Sequence, residues 1–88
     1  MSREPVLIRY FAWVRERVGR AEERLTLPET VVTAGDLVGW LAGRGDTYAH
    51  AFETPGTIRV AVDQLHVEQD EPIGEAHEIA LFPPMTGG

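Results

Sequence analysis

The chain has 88 residues, of which 43% are hydrophobic and 25% are charged, and its formal net charge is −6. These values predict one small folded domain with a single core and no room for a large internal active site. The acidic balance, without any cluster of basic residues, argues against nucleic acid and membrane surfaces as partners. Because cysteine is absent, disulfides, thiolate metal sites and a cysteine nucleophile are excluded within this chain. The charged first residues and the lack of a long apolar run predict a cytoplasmic protein.

Alternating side chains predict a first strand over residues 6–11, with Val6, Ile8 and Tyr10 on one face. The segment 12–18 breaks this alternation and ends at a glycine, which predicts a short helical turn. A second strand fits residues 23–27 and ends at a proline, which cannot donate to a strand ladder. The two strands and their short connection predict a hairpin.

The clearest helix begins at Thr33, whose hydroxyl is placed to cap the first turn while Asp36, three residues on, supplies a carboxylate. Leu37, Trp40 and Leu41 recur at the spacing of one helical face, and the pattern ends at Gly43 and Gly45. This amphipathic helix requires a sheet to cover its apolar side.

The second half of the chain predicts three further strands, over residues 58–62, 65–67 and 77–82. Asp63 and Gln64 predict a tight turn between the first two of these, and Pro83 ends the last one. The order of elements predicts an α+β domain in which one mixed sheet packs on one main helix. We assign residues 1–83 to this domain and residues 84–88 to a C-terminal tail.

Side-chain chemistry for catalysis is sparse. The histidines, His50, His66 and His77, match no metal-ligand spacing, and the single serine, Ser2, lies near the N-terminus. Acidic pairs such as Glu22-Glu23 are expected to be solvated charges. We therefore expect no metal site, and the function should lie in a surface or in an end of the chain.

The C-terminal end is the unusual part of the sequence. It passes from Pro83 and Pro84 to two glycines, Gly87 and Gly88. The five residues beyond Pro83 would reach about 16–18 Å if extended, and glycines leave the terminal carboxylate open to a narrow partner site. The prolines would stiffen the root of the tail.

The segment 10–19, Tyr-Phe-Ala-Trp-Val-Arg-Glu-Arg-Val-Gly, resembles the opening of the small subunit of molybdopterin synthase, and the segment 81–88, Leu-Phe-Pro-Pro-Met-Thr-Gly-Gly, resembles its ending. The Ala-Val-Asp-Gln turn at 61–64 is also similar to that family. Asp63 stands where the family commonly has asparagine, and Met85 where it commonly has valine. The resemblance implies a ubiquitin-like sulfur carrier with the β-grasp fold.

The resemblance also implies a function carried by the carboxylate of Gly88. An activating enzyme would use ATP to adenylate it, and a sulfur donor protein would convert the acyl-adenylate to a thiocarboxylate. The large subunit of molybdopterin synthase would then receive the tail, in an assembly of two small and two large subunits, and sulfur would pass to cyclic pyranopterin monophosphate. This chain itself would bind no cofactor.

The same resemblance implies a set of partner-binding residues around the tail: Phe82, Pro83, Pro84, Met85, Thr86, Gly87 and, on the first helical turn, Arg15. Phe82 would either contact the partner or fill the core, and Arg15 would either contact an acidic partner residue or lie on a solvated helix face. Gly87 would keep the approach to Gly88 free of side chains.

Three alternatives remain open from the sequence. The first is a sulfur carrier of the thiamin pathway, which shares the diglycine end. The second is a ubiquitin-like modifier joined to lysines of target proteins through Gly88, and the third is a binding domain whose tail has no role.

Overall fold

The computed structural model describes residues 3–84 of the chain. Its elements in chain order are β1 Val6–Tyr10, α1 Ala12–Val18, β2 Glu22–Leu25, α2 Ala34–Ala42, α3 Asp46–Ala51, a 3₁₀ turn at Pro55–Thr57, β3 Arg59–Val62, β4 Leu65–Val67 and β5 Glu78–Phe82. The sequence pattern predicted the positions of the five strands to within a few residues. It also predicted the two helical segments α1 and α2 and the β3–β4 turn. The short helix α3 and the 3₁₀ turn were not predicted.

The five strands form one mixed sheet in the order β2-β1-β5-β3-β4. β1 pairs with β2 antiparallel, which confirms the predicted hairpin, and it pairs with β5 in parallel. β3 pairs antiparallel with both β5 and β4. The last strand therefore lies in the centre of the sheet, and its carboxyl end lies beside the carboxyl end of β1, where Tyr10 is opposite Leu81.

One face of the sheet is buried against the helices. Ile8, Ile79 and Leu81 have no measurable exposure there. From the other side, the apolar stripe of α2 supplies Leu37 and Leu41, which are equally buried. Each such side chain contributes roughly 1.5–3 kcal/mol by leaving water, so the centre of the sheet, including β5, is held to the helices by a well-buried apolar contact.

The start of α2 forms as the sequence predicts. The Thr33 hydroxyl accepts a hydrogen bond from the Asp36 amide at 3.0 Å, and the Asp36 carboxylate accepts from the amides of Thr33 and Val32. These backbone hydrogen bonds, that of Thr33 first, lower the pKa of Asp36. The reciprocal cap satisfies amides that the first helical turn leaves without partners.

The β3–β4 turn is tied to the start of β5. Asp63 and Gln64 both have positive φ, at 48° and 72°, as a tight hairpin turn requires. The Asp63 carboxylate accepts hydrogen bonds from the amides of His77 and Glu78, each at 2.9 Å. Asp63 thus fixes where β5 enters the sheet.

Among residues 3–84, none of the helices has both the length and the apolar character needed to span a bilayer.

Candidate functional site

The carboxyl end of β5 lies at the centre of one edge of the sheet. Phe82 is the last residue of the strand, and Pro83 and Pro84 follow it outside any regular element. All three are half-buried. The rest of the predicted tail, Met85, Thr86, Gly87 and Gly88, lies outside the described residues, so the predictions made for these four remain predictions.

Strand alternation decides the position of Phe82, which the sequence left open between core and surface. Ile79 and Leu81 point into the buried face, so Ala80 and Phe82 lie on the opposite, outer face. Phe82 does not belong to the buried core cluster. Its ring is therefore available, in part, on the open side of the sheet.

An aromatic row crosses this outer face beside the root of the tail. The Phe82 ring meets Phe11 edge-on, with ring centroids 6.4 Å apart and planes at 83°, and on its other side it meets His66 at 5.1 Å and 79°. These separations and angles are those that aromatic pairs prefer. We call Phe11, Phe82 and His66 the aromatic row. Phe11 is 39% exposed although it is a large apolar residue.

Arginines flank the aromatic row. The Arg9 guanidinium carbon lies 5.2 Å from the centroid of the Phe11 ring, and strand register places Arg59 directly opposite Phe82. Arg9 also lies 3.9 Å from the Glu22 carboxylate and 3.8 Å from that of Glu78. The Arg9 and Glu22 side chains are largely exposed and that of Glu78 is partly buried, and ion pairs of this length near a protein surface are weak.

A shallow groove of about 550 Å³ runs beside the row on the β4 side. It is lined by Arg59, His66, Gln69 and Pro84, together with parts of the 3₁₀ turn. The Gln69 amide donates to the carbonyls of Pro55 at 2.6 Å and Ile58 at 3.1 Å, and so holds that wall in place. The groove, the row and the last two described prolines form one continuous surface.

Arg15 lies on α1, as predicted, with an exposed side chain. Its backbone carbonyl accepts the hydrogen bond from Gly19 that closes the helix. This exposed position is compatible with a solvated helix face and with contact to an acidic partner residue. The partner contact of Arg15 remains a prediction.

The expectation that Glu22 and Glu23 are both solvated is wrong for Glu23. The side chain of Glu23 is only 8% exposed. One carboxylate oxygen accepts hydrogen bonds from the hydroxyls of Tyr10 and Tyr48, each at 2.7 Å, and the other lies 3.1 Å from Arg20 and 3.6 Å from Arg44. Strand alternation turns Glu23 toward the inner face, where these four partners converge.

Protonation of this cluster follows from its partners. Burial opposes ionisation of Glu23, but the hydroxyls of Tyr48 and Tyr10 and the charges of Arg20 and Arg44 outweigh it, so the pKa of Glu23 is lowered. Desolvation, followed by the hydrogen bond to ionised Glu23, raises the pKa of both Tyr10 and Tyr48. The tyrosines thus remain neutral donors to the ionised carboxylate, and their hydrogen bonds join β1, β2 and α3.

In the part of the chain that the structure describes, no three His, Asp or Glu side chains are grouped closely enough to hold a metal ion. Over the same residues, every buried side-chain nitrogen and oxygen has a hydrogen-bond partner.

Comparison with known proteins shows which family the chain belongs to. The model of the ThiS family matches residues 8–88, from the first strand to the final glycine. The chain belongs to the ThiS family. The molybdopterin synthase sulfur carrier subunit of Escherichia coli strain K12 is 36% identical over 83 residues, which cover 94% of this chain and 99% of that protein. The protein of the same name from Haemophilus influenzae is 35% identical over 79 residues, covering 90% of this chain and 94% of the relative.

The fold of this ThiS-family chain is shared as well. A protein from Pyrococcus furiosus described as a proposed molybdopterin converting factor, subunit 1, superposes with a TM-score of 0.70 and 26% identity, covering 92% of this chain and 98% of its own. The ubiquitin-like β-grasp fold and the family resemblance predicted from the sequence are therefore confirmed. The sequence did not predict Phe11 and His66 as neighbours of Phe82. They meet only because the central pair β5–β3 has β1 on one side and β4 on the other.

Proposed function

We propose that this chain is the sulfur carrier subunit of a molybdopterin synthase and acts in the cytoplasm. The observation that carries the proposal is its likeness to two molybdopterin synthase sulfur carrier subunits, which extends over at least 90% of the chain. In this role the chain presents a reactive end and leaves the acid-base chemistry to its partners.

The reactive group in this proposal is the α-carboxylate of Gly88. Its oxygen attacks the α-phosphate of ATP on an activating enzyme, pyrophosphate leaves, and an acyl-adenylate forms. Sulfide released by a donor protein then attacks the acyl carbon, the bond to AMP breaks, and AMP leaves behind a thiocarboxylate, a soft nucleophile that requires no cysteine in the carrier. Gly87 supports both steps because it adds no side chain beside the reacting carbon.

Residues 3–84 support the C-terminal tail. β5 is hydrogen-bonded on both sides, to β1 and β3, so the strand that leads to the tail is held at the centre of the sheet. Pro83 and Pro84 have restricted backbones and no amide to extend the ladder. A rigid root of this kind lowers the conformational entropy that the tail loses when it enters a partner.

The aromatic row and its arginines form the docking surface in this proposal. Phe11 and Phe82 offer apolar area of the type that dominates interface energies, and Arg9 and Arg59 lie at its rim. We propose that the large subunit of molybdopterin synthase covers this surface with an apolar patch edged by acidic groups, in an assembly of two small and two large subunits. The activating enzyme would use the same surface at a different time.

Reconstitution tests the proposal. Thiocarboxylated carrier, mixed with the large subunit and cyclic pyranopterin monophosphate, should yield molybdopterin, whereas carrier with an ordinary carboxylate and a chain lacking Gly88 should not. If the thiocarboxylated carrier yields no molybdopterin with an active large subunit, the proposed function is wrong. Lysine-linked adducts of the chain on other proteins would favour a protein modifier, and sulfur delivery to a thiazole precursor would favour the thiamin pathway.

A further inference from the structure

Ala12, at the junction of β1 and α1, has an unusual backbone conformation. Its φ is +52°, in the left-handed region that side chains with a Cβ rarely adopt. The other two non-glycine residues with positive φ among residues 3–84 are Asp63 and Gln64, and both serve the tight β3–β4 turn. Ala12 has no hairpin to form, so its conformation needs a separate explanation.

The strand passes into the helix at this residue without a loop. The Phe11 amide still donates to the Leu81 carbonyl of β5 at 3.1 Å, while the Phe11 carbonyl already accepts from the amides of Val14 and Arg15 at 3.1 and 3.3 Å. Phe11 itself has extended backbone angles, φ −128° and ψ 155°. The whole change of direction from strand to helix therefore falls on Ala12.

This change of direction keeps Phe11 in the aromatic row. Because Phe11 remains paired with β5, its ring stays on the outer face, edge-on to Phe82 at 6.4 Å. If more residues separated β1 from α1, Phe11 could not keep both its hydrogen bond to β5 and its hydrogen bonds to the first turn of α1. The left-handed well is narrow for a residue with a Cβ and broad for glycine, so the Ala12 methyl group restricts the angle at which strand and helix diverge.

We infer that Ala12 is a positioning residue: its constrained left-handed backbone holds the Phe11 ring against Phe82 and so prepares the docking surface at the root of the tail. The inference rests on the proposed function for the identity of the partner, but not for the geometry of the free protein. Ala12 is exposed and is not one of the residues that we place in the docking surface.

Two substitutions separate positioning from stability. Ala12→Gly removes the restriction and relieves the backbone, so its melting temperature should equal or exceed that of the wild type. Ala12→Asn keeps a Cβ and favours the left-handed region more than other residues with side chains do, so it serves as the matched control. In the free proteins, ring-to-ring nuclear Overhauser contacts between Phe11 and Phe82 should weaken in Ala12→Gly and persist in Ala12→Asn.

Titration against the large subunit completes the test. The Kd of Ala12→Gly should rise about fivefold, because a side chain ordered in advance must now be ordered on binding, while Ala12→Asn should bind like the wild type. Wild-type ring contacts together with wild-type affinity in Ala12→Gly would overturn the inference, as would equal weakening in both variants or parallel losses of stability and binding. If the wild type itself fails to bind the large subunit, the proposed function fails, and the ring contacts of the free proteins alone decide the role of Ala12.

Discussion

The ring of Phe82 meets the ring of Phe11 edge-on at a centroid separation of 6.4 Å, across the seam where β5 runs parallel to β1. One residue ends the strand that leads to the C-terminal tail, and the other lies between the first strand and the first helix. Their contact joins the two sequence segments that carry the family resemblance. It also places a partly exposed apolar surface directly at the root of the tail.

Replacement of Phe82 by alanine should weaken binding of the large subunit by about tenfold or more, because buried aromatic side chains dominate interface energies. The stability of the free protein should change little, since Phe82 is half-buried and lies outside the core cluster. Calorimetric titration and thermal denaturation measure the two effects. Leu65→Ala is the control, because Leu65 is 71% exposed on the edge strand β4 and outside the aromatic row. If Phe82→Ala and Leu65→Ala bound the large subunit with equal affinity, Phe82 would not belong to the docking surface.

Glu23→Gln should lower the free energy of unfolding at pH 7 by about 2 kcal/mol, because charge-assisted hydrogen bonds from Tyr10 and Tyr48 lose their ionised acceptor. Its effect should depend on pH. The pKa of Glu23 is lower in the folded chain than its ordinary value of 4.5, so its stabilising contribution is present above that value and is lost as the pH falls through the folded pKa.

Urea denaturation of the wild type and Glu23→Gln between pH 7 and pH 3 measures this dependence. The difference between the two proteins should be constant near neutrality and should shrink at acid pH. A difference that stays the same at every pH would mean that the charge of Glu23 does not support the cluster.

Asp63→Ala should destabilise the fold more than Asp63→Asn. Both replacements remove the charge, but asparagine tolerates the positive φ of this position and can still accept the hydrogen bonds from His77 and Glu78. Those backbone hydrogen bonds, that of Glu78 first, lower the pKa of Asp63, so stability at this site should fall with acid in the wild type but not in Asp63→Asn. Denaturation midpoints of the three proteins at neutral and acid pH provide the measurement, and an Asp63→Ala midpoint equal to that of Asp63→Asn would contradict the account.

Two glycines of α2 should respond in opposite directions to alanine. A Cβ added at Gly39 would meet only open space, so Gly39→Ala should stabilise the fold by about 0.5–1 kcal/mol through helix propensity. At Gly35 a Cβ would lie 3.1 Å from the Gln69 carbonyl oxygen, which accepts a 2.8 Å hydrogen bond from the Gly35 amide. Gly35→Ala should therefore be neutral or destabilising. Chemical denaturation of both variants distinguishes the positions, and a gain at Gly35 as large as that at Gly39 would refute the close approach.

Much of the fold could be predicted because its signals are local. Side-chain alternation gave the faces of β1 and β5, Thr33 and Asp36 marked the start of α2, and Asp63 with Gln64 marked the hairpin. Helix α3, Asp46–Ala51, has six residues, follows the N-cap residue Gly45 without a side-chain cap, and buries only Tyr48 and Ala51. So short a helix carries no apolar stripe that a periodicity could detect.

The candidate site was predicted only where it is continuous in sequence. The diglycine end and its prolines are adjacent, so their pattern was visible, but Phe11, Phe82 and His66 come from three different strands or junctions and meet through strand order. Glu23 was misjudged for the same reason, because its partners Tyr10 and Tyr48 lie 13 and 25 residues away. Periodicity assigns faces to strands but does not give their order in the sheet.

In the proposed function, the carboxylate of Gly88 carries the reaction. Intact-mass measurement after incubation with the activating enzyme, ATP and a sulfur source tests it most directly. The mass should increase by the difference between one sulfur and one oxygen atom, and fragmentation should locate the change at Gly88; the increase should be absent when ATP is omitted or Gly88 is deleted. An unchanged mass with an activating enzyme that converts another carrier, or sulfur found at any other residue, would contradict it.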